Sequence, residues 1–432
     1  MKHICYLGVS REDITPSIGT CLYGYRPNLH SESIRDRLHV TTFYLKQDDT
    51  QSLMISATVC SVQTNLVNRL RKEISGRFSV PYENILLSAT HTHTGPNLTG
   101  DIGWGEVDME YYESIFRPAV LKSVENALKN PVPVSCGFAT GLCKAGINRR
   151  ELTTENLVAL GQNPWGVYNP EMTVISFRDE SGKPIANMVH YGCHGTVAGA
   201  STAISRDWSG VMTDALEEES GAITAFFNGP EGDVGPRISN GRTAANPDYI
   251  PEVGEIAAES ALCIYKNITD FSVPKLSAKE GMLSLPLLSK LSMDKVMEGL
   301  EKFPDPDAVN WEGKMHHYYK AVKAAIEAGE EDKACAKISQ TILRIGDVIF
   351  AAFPYELFSE IGMRIDCAVK DFKVLSLSNT NGSEGYFPTE DQLCRGGYEI
   401  IMFRYNNVQC FTDDADYRLI KETLRNLEDI VQ

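Results

Sequence analysis

The sequence predicts a mixed α/β (α+β) fold in which sheets and helices form layers. Three observations lead there. Short runs of β-branched and apolar residues recur along the whole chain, helix-period stretches come between them, and one pair of runs is joined by a tight polar turn. No fixed-period repeat and no Pro/Ser-rich linker interrupts this alternation, so residues 1–432 read as one domain. That is longer than the roughly 150 residues usual for a domain, and large α/β units often exceed that length.

Taken in order, the chain enters a strand-like segment directly after Met1-Lys2-His3. Residues 40–45 and 52–57 are strand-like and flank the turn Gln47-Asp48-Asp49-Thr50. Val62, Leu66, Leu70 and Ile74 have helical spacing over residues 62–77. Residues 85–89, Ile-Leu-Leu-Ser-Ala, have the composition of a short buried strand. Residues 109–129 predict one amphipathic helix ended by Asn130-Pro131. Residues 172–177 and 185–190 flank a polar turn and predict a hairpin, and 222–227 predict a strand ending in a glycine-rich loop. Residues 292–337 are charged and helix-prone, which predicts a surface helical excursion within the domain. Residues 348–353 and 373–377 return to strand composition, with a helix over 357–365 between them.

Composition narrows the possible functions. Lysine and arginine number 41 against 57 acidic residues, a formal charge of −16 at pH 7. Phosphate-rich partners are repelled by such a balance, so nucleic acid and anionic membrane surfaces are poor candidates. No window approaches the roughly 20 apolar residues of a membrane span. The beginning of the chain has no basic segment followed by an apolar core, so no signal peptide is expected. The eleven cysteines are scattered, without a CxxC pair, as in a reduced, cytoplasmic protein with buried thiols.

Chemistry-bearing residues collect where strands end. His91-Thr92-His93-Thr94-Gly95-Pro96 follows the run at 85–89. In extended backbone alternate side chains share a side, so His91 and His93 are expected to project together into a cleft. Alone, the pair fits equally well two hydrogen-bonded histidines at a strand end. His194, between Gly192 and Gly195, follows the second strand of the hairpin, whereas His190 falls inside that strand and is expected to pack there. The loop Asn228-Gly229-Pro230-Glu231-Gly232-Asp233-Val234-Gly235-Pro236 predicts a rigid turn. Glu356 directly follows an apolar run, in place for a hard metal ligand or a helix cap. Tyr386 and Tyr398 lie in or just beyond a glycine-rich loop, where aromatics usually pack.

The joint pattern resembles the catalytic domain of the neutral (non-lysosomal) ceramidases, zinc amidases that split the N-acyl bond of ceramide. The resemblance runs from Gly8-Val9-Ser10-Arg11-Glu12-Asp13-Ile14-Thr15-Pro16 through Gly24-Tyr25 and Arg37-Leu38. It is strongest at Ser88-Ala89-Thr90-His91-Thr92-His93-Thr94-Gly95-Pro96. It continues at Asn148-Arg149, His194-Gly195-Thr196, Ser205-Arg206-Asp207, Gly232-Asp233-Val234, Glu356 and the segment from Tyr386 to Tyr398. The resemblance implies a layered α-β-β-α domain with two stacked sheets between helices. It also implies Zn2+ held by His91, His194, Glu356 and Tyr386, with His93, Arg149 and Tyr398 as catalytic residues outside the ligand set. The expected reaction is hydrolysis of a carbon–nitrogen (amide, N-acyl) bond by zinc-activated water, on a small-molecule or lipid substrate.

Two departures bear on that expectation. The family's GDVSP loop has a serine where this chain has Gly235, which favours water over a serine nucleophile. No C-terminal β-sandwich domain of the kind the familiar ceramidases carry is expected in this chain. Two further readings accompany the first: an amidase or esterase for a small polar acylated sugar or amino compound, and a non-catalytic metal-containing binding protein.

Overall fold

The computed structural model describes residues 4–100, 104–237, 246–308 and 311–431. Eight strands form the larger sheet: β1 (Cys5–Asp13), β2 (His39–Gln47), β3 (Thr50–Ala57), β4 (Ile85–Ala89), β5 (Val132–Leu142), β6 (Glu171–Asp179), β7 (Pro184–Tyr191) and β8 (Ile223–Asn228). Their order across the sheet is β8-β7-β6-β5-β1-β2-β3-β4. A smaller sheet has β9 (Leu276–Pro286), β10 (Cys335–Ile345), β11 (Val348–Ala352) and β12 (Lys373–Leu377), in chain order.

Side-chain alternation shows why the two sheets stack. On β6, Ile175 and Phe177 face one core while Met172 and Val174 face another. On β2, Phe43 and Leu45 point one way, Val40 and Tyr44 the other. The inward sets, with Leu343, Ile345, Val348, Phe350, Leu375 and Leu377 of the smaller sheet, make one continuous core between the sheets. A strand with two buried faces has no solvent side, which is why β4 reads as an apolar run broken only by the small, buried Ser88.

Helices cover the outer faces. α1 (Thr64–Phe78) and α2 (Arg117–Lys129) cover one half of the larger sheet, and α3 (Asp207–Ser220) and α4 (Ile250–Lys266) the other. α5 (Met293–Lys302) and α6 (Trp311–Glu327) pair with each other. α7 (Ser359–Ala368), α8 (Tyr398–Arg404) and α9 (Ala415–Leu427) complete the chain, and α7 and α9 pack on the smaller sheet. The result is the expected α-β-β-α layering.

Some expectations change in detail. The stretch 292–337 holds α5 and α6, but its last three residues open β10. The helix expected at 109–129 is interrupted by a π turn at Tyr112–Phe116. Pro118 has no N–H to close onto the Ser114 carbonyl, and the helix widens there. The hairpin at 172–190 is present, with β6 and β7 antiparallel.

Within the two large sheets the described strands pair in parallel at three places, β3 with β4, β7 with β8, and β11 with β12. Each pair is joined by one crossover helix: α1, α3 and α7 respectively. In α/β sheets the carboxyl ends of such strands are where ligands gather. His91 follows β4, His194 follows β7, Glu231 follows β8, Glu356 follows β11 and Asn379 follows β12.

Candidate metal centre

The strand ends converge on a buried cluster of nitrogen and oxygen atoms. Nε2 of His91 is 3.4 Å from Glu356 Oε2, and Nε2 of His194 is 3.1 Å from the same oxygen. His93 Nε2 approaches His91 Nε2 to 3.2 Å. The Tyr386 hydroxyl is 3.4 Å from His194 Nε2 and accepts a hydrogen bond from Arg149 Nη2 at 3.0 Å. Tyr398 packs edge-on against the Tyr386 ring, centroids 5.6 Å apart. All seven residues singled out in the sequence therefore meet at one place.

His91 arrives by an unexpected route. Its φ is +66°, so the backbone after β4 is not extended, and the shared direction of the two imidazoles comes from this left-handed turn instead of strand alternation. The rings meet edge to face, 4.8 Å between centroids. Close packing holds the turn. A Cβ on Gly195 would fall 2.7 Å from the His91 carbonyl oxygen, and one on Gly24 would fall 2.4 Å from His93 Nδ1. Gly24 has φ +122°, so both its conformation and its lack of a side chain are used.

Ring orientation follows from the outer nitrogens. His91 Nδ1–H donates to the Cys60 carbonyl at 2.9 Å, and His93 Nδ1–H to the Gly24 carbonyl at 3.0 Å. His194 Nδ1–H is shared between the Glu231 and Val234 carbonyls at 2.9 and 3.1 Å. With each Nδ1 committed as donor, each Nε2 presents a lone pair inward. Three imidazole lone pairs and a carboxylate oxygen facing one another repel unless a cation lies among them. The same demand is expressed in titration. A proton on His91 Nε2 can take that cation's place: burial alone would lower the pKa of His91, but the Cys60 and Glu356 charges outweigh it and raise it well above its ordinary range. Burial, aided by the Arg149 charge, pushes His194 down to about 3. Glu356 stays ionised far below its usual value, its burial overcome by His91 and His194.

The donor set suits a divalent metal. The ligand atoms of His91, His194 and Glu356 lie within 4.8 Å of one another, and a second grouping joins His91 and His93 with Cys60. Two imidazoles and a carboxylate form a three-ligand set typical of a zinc site that keeps one position open. Tyr386 is placed beside them, although burial raises its hydroxyl pKa against the opposing pull of Arg149.

Around the cluster stands a layer of partners that local sequence signals did not reveal. Glu399 accepts Arg149 Nε at 2.8 Å and Arg150 Nη1 at 2.6 Å. Its only mark in the sequence is adjacency to Tyr398. Glu231, placed in a loop expected to be a plain turn, accepts Asn379 Nδ2 at 2.6 Å, and Asn379 Nδ2 also lies 3.2 Å from His91 Nδ1. Cys60, Tyr23, Trp104, Lys314 and Met402 line the cavity that opens onto the histidines. Arg149 is not among the lining residues and reaches the cavity through the Tyr386 hydroxyl. His190 is elsewhere, bonded through Nε2 to the Ser376 carbonyl. Gly235 sits in a short strand paired with Ile147.

Ser205-Arg206-Asp207 supports the site from behind. Asp207 accepts the N–H groups of Val197 and Ala198 in the loop after His194, and Trp208 Nε1 donates to the His194 carbonyl. Burial raises the Asp207 carboxyl from its ordinary 3.8 to about 6, against the lowering effect of its backbone N–H bonds. Between those values the folded chain keeps a proton that the unfolded chain releases. Stability therefore falls as pH rises from about 4 to about 6 and is insensitive to this group above that. Asp207→Asn cannot titrate, so its stability relative to wild type is expected to improve across that interval in urea denaturation. A constant difference from pH 4 to 6 would contradict this account.

Fold and cluster together define a layered α-β-β-α protein with a candidate metal centre at the carboxyl ends of its parallel strands. The family described as "Neutral/alkaline non-lysosomal ceramidase, N-terminal" matches residues 5–251, more than half of the chain, and the chain belongs to that family. Neutral ceramidase A of Dictyostelium discoideum is 26% identical over 254 residues, 53% of this chain and 35% of that protein. The neutral ceramidase of Mycobacterium tuberculosis is 26% identical over 262 residues, 52% of this chain and 39% of that one. The chain thus spans well under half the length of these relatives. The crystal structure of neutral ceramidase from Pseudomonas aeruginosa has the same fold, with a TM-score of 0.77 at 17% identity, covering 99% of this chain and 75% of the other. Glu356, Tyr386 and Tyr398 lie beyond the family-matched stretch, and the fold brings them to its histidines.

Proposed function

We propose that this chain is a zinc-dependent hydrolase of an N-acyl carbon–nitrogen bond. The observation that carries the reading is the convergence of the inward Nε2 atoms of His91 and His194 on Glu356 Oε2, with both Nδ1–H groups fixed by backbone carbonyls. His91, His194 and Glu356 hold the metal in this reading, with Tyr386 as a further ligand. Zinc, when bound, supplies Lewis acidity for a substrate carbonyl and lowers the pKa of water to about 7. Membership of the ceramidase family supports the amide bond as the target.

The chain's own residues divide the remaining work. His93, anchored through Nδ1–H, offers Nε2 as the base that takes a proton from the attacking water and returns it to the leaving nitrogen. Burial, with positive charge at the neighbouring His91, holds the His93 pKa well below its ordinary value and keeps it neutral, the form a base requires. Tyr398 lines the cavity, and in this reading its O–H donates to the developing oxyanion. Arg149 positions Tyr386 and contributes positive charge from behind it. Bulk water is excluded on this side because His91, His194 and Tyr386 are all buried.

His93→Ala is expected to retain stoichiometric zinc while losing roughly 100-fold or more in rate. Metal analysis beside turnover of N-acyl substrates tests both halves, and wild-type turnover by the variant would remove His93 from the mechanism. For the reading as a whole, the test is metal analysis of the purified protein followed by assay of short- and long-chain N-acyl substrates. A metal-loaded protein that cleaves none of them would favour a binding role. A reducing, cytoplasmic setting and a single-domain organisation are part of the same proposal, supported by eleven free cysteines and by the shared core between the two sheets. Among the described residues no helix is long and apolar enough to cross a membrane.

A further inference from the structure

The cavity at the metal cluster is not uniformly apolar. Besides Tyr23, Trp104, Tyr386, Tyr398 and Met402, it is lined by Lys314, from the first turn of α6. α6 lies outside the family-matched residues 5–251. It packs through Tyr318 and Val322 against Tyr405 and Val408, just past α8, and this contact brings Lys314 to the cavity. Lys314 is only 9% exposed.

A lysine buried to this extent is ordinarily paired. The acceptor described for Lys314 Nζ is a neutral one, Asn406 Oδ1 at 3.2 Å, and Asn406 is itself tied to the Glu384 carbonyl. One amide oxygen uses one of three N–H donors. Among the described ion pairs none includes Lys314. Glu384 lines the adjoining groove with Lys314, and its carboxylate accepts from Thr64 Oγ1. A wholly apolar chain filling this cavity would strip water from the ammonium and return no hydrogen bond. An oxyanion would complete its coordination with charge-assisted bonds.

We infer that Lys314 is a specificity-determining residue that selects ligands bearing an anionic oxygen group, carboxylate or phosphate, on the part entering this cavity. With the hydrolase reading on which the word substrate rests, the preferred substrates are N-acyl compounds with such a group, for example N-acylated amino acids. The aromatic walls take the apolar portion between the amide and the anion.

Binding and turnover are measured separately. The probes are N-acetyl-ω-amino acids of increasing methylene number, their neutral carboxamides, and the corresponding N-acetylaminoalkyl phosphates, titrated calorimetrically into the full chain. In wild type the best-fitting anionic probe is expected to bind at least about tenfold tighter than its carboxamide, the value of one charge-assisted hydrogen bond or more. Lys314→Met is expected to level the pair, and Lys314→Arg to recover most of the preference, with thermal melting confirming that both variants fold. The carboxylate and phosphate series show which anion the cavity favours. Equal binding of anion and carboxamide by wild type at every length would overturn the inference. So would a preference that survives in Lys314→Met, because it would place the anion on the metal or on another group. Turnover of the N-acetyl probes by wild type, anionic and neutral alike, tests the hydrolase reading by itself, and cleavage of none of them would sink that reading while the binding comparison still decides the role of Lys314.

Discussion

His91→Ala is expected to abolish both metal retention and turnover. Its Nε2 lies within 3.4 Å of both His93 Nε2 and Glu356 Oε2, and its ring stands edge-on to His194 at 4.6 Å, so no other imidazole occupies the middle of the cluster. Removing the ring leaves Glu356 facing His194 alone and frees the Cys60 carbonyl and Asn379 that hold its other edge. Loss of a mere partner to a metal ligand costs about 10–100-fold in affinity or activity, so loss of the ligand itself should exceed that. Elemental analysis of the purified variant and a turnover assay read the two effects independently. His190→Ala is the control: that imidazole bonds to Ser376 away from the cavity and should leave zinc content unchanged. Stoichiometric zinc in His91→Ala would show that the ligand assignment is wrong.

How far this centre could be read from the sequence depended on whether each contribution is local. His91, His93 and His194 stand out because a buried run followed by a glycine turn is a short-range pattern, and the structure places them at the ends of β4 and β7. The direction of the His91 ring was not local in that sense. It depends on a positive φ held by Gly195 and Gly24, which arrive from other parts of the chain. Glu356, Tyr386 and Tyr398 were singled out through family resemblance, since an acid after a strand or tyrosines near a loop carry little information alone. Glu399 had no local mark beyond its place next to Tyr398, because its meaning is an ion pair to a residue 250 positions earlier. Lys314 likewise stood in a charged helical stretch, where lysines are ordinarily solvated, until the packing of α6 buried it. Among the strands of the two sheets β5, β9 and β10 were missed; β10 begins inside the stretch expected to be helical, and β5 and β9 are both half-exposed and interrupted by glycines, at Gly137 and Gly141 in one and Gly281 in the other. Those glycines admit close neighbours: a Cβ at Gly137 would meet the Asp270 carbonyl at 2.4 Å.

Arg149→Ala is expected to lower stability and rate together, and simpler variants should separate the two losses. The guanidinium is buried and uses different nitrogens for different partners: Nε bonds Glu399 Oε1 at 2.8 Å, while Nη2 bonds the Tyr386 hydroxyl at 3.0 Å. Truncation leaves the Glu399 carboxylate buried with Arg150 as its remaining described ion-pair partner. Breaking a buried pair by removing one member costs about 3–5 kcal/mol, which urea denaturation would show as a lower midpoint. The rate falls for a separate reason, because Tyr386 loses the donor that fixes its hydroxyl beside His194. Tyr386→Phe keeps the Arg149–Glu399 pair and removes the phenol hydroxyl from Arg149, from His194 and from the proposed ligand set, so it should cost about 1 kcal/mol or less in stability while still lowering kcat. Glu399→Gln does the reverse, weakening the ion pair while Arg149 keeps Tyr386 in reach. If Arg149 served only to stabilise the fold, the activity of Arg149→Ala would recover fully at temperatures where it is folded. If it served only the site, its urea midpoint would not move. The expected result lies between these, with stability following the Nε contact and rate following the Nη2 contact.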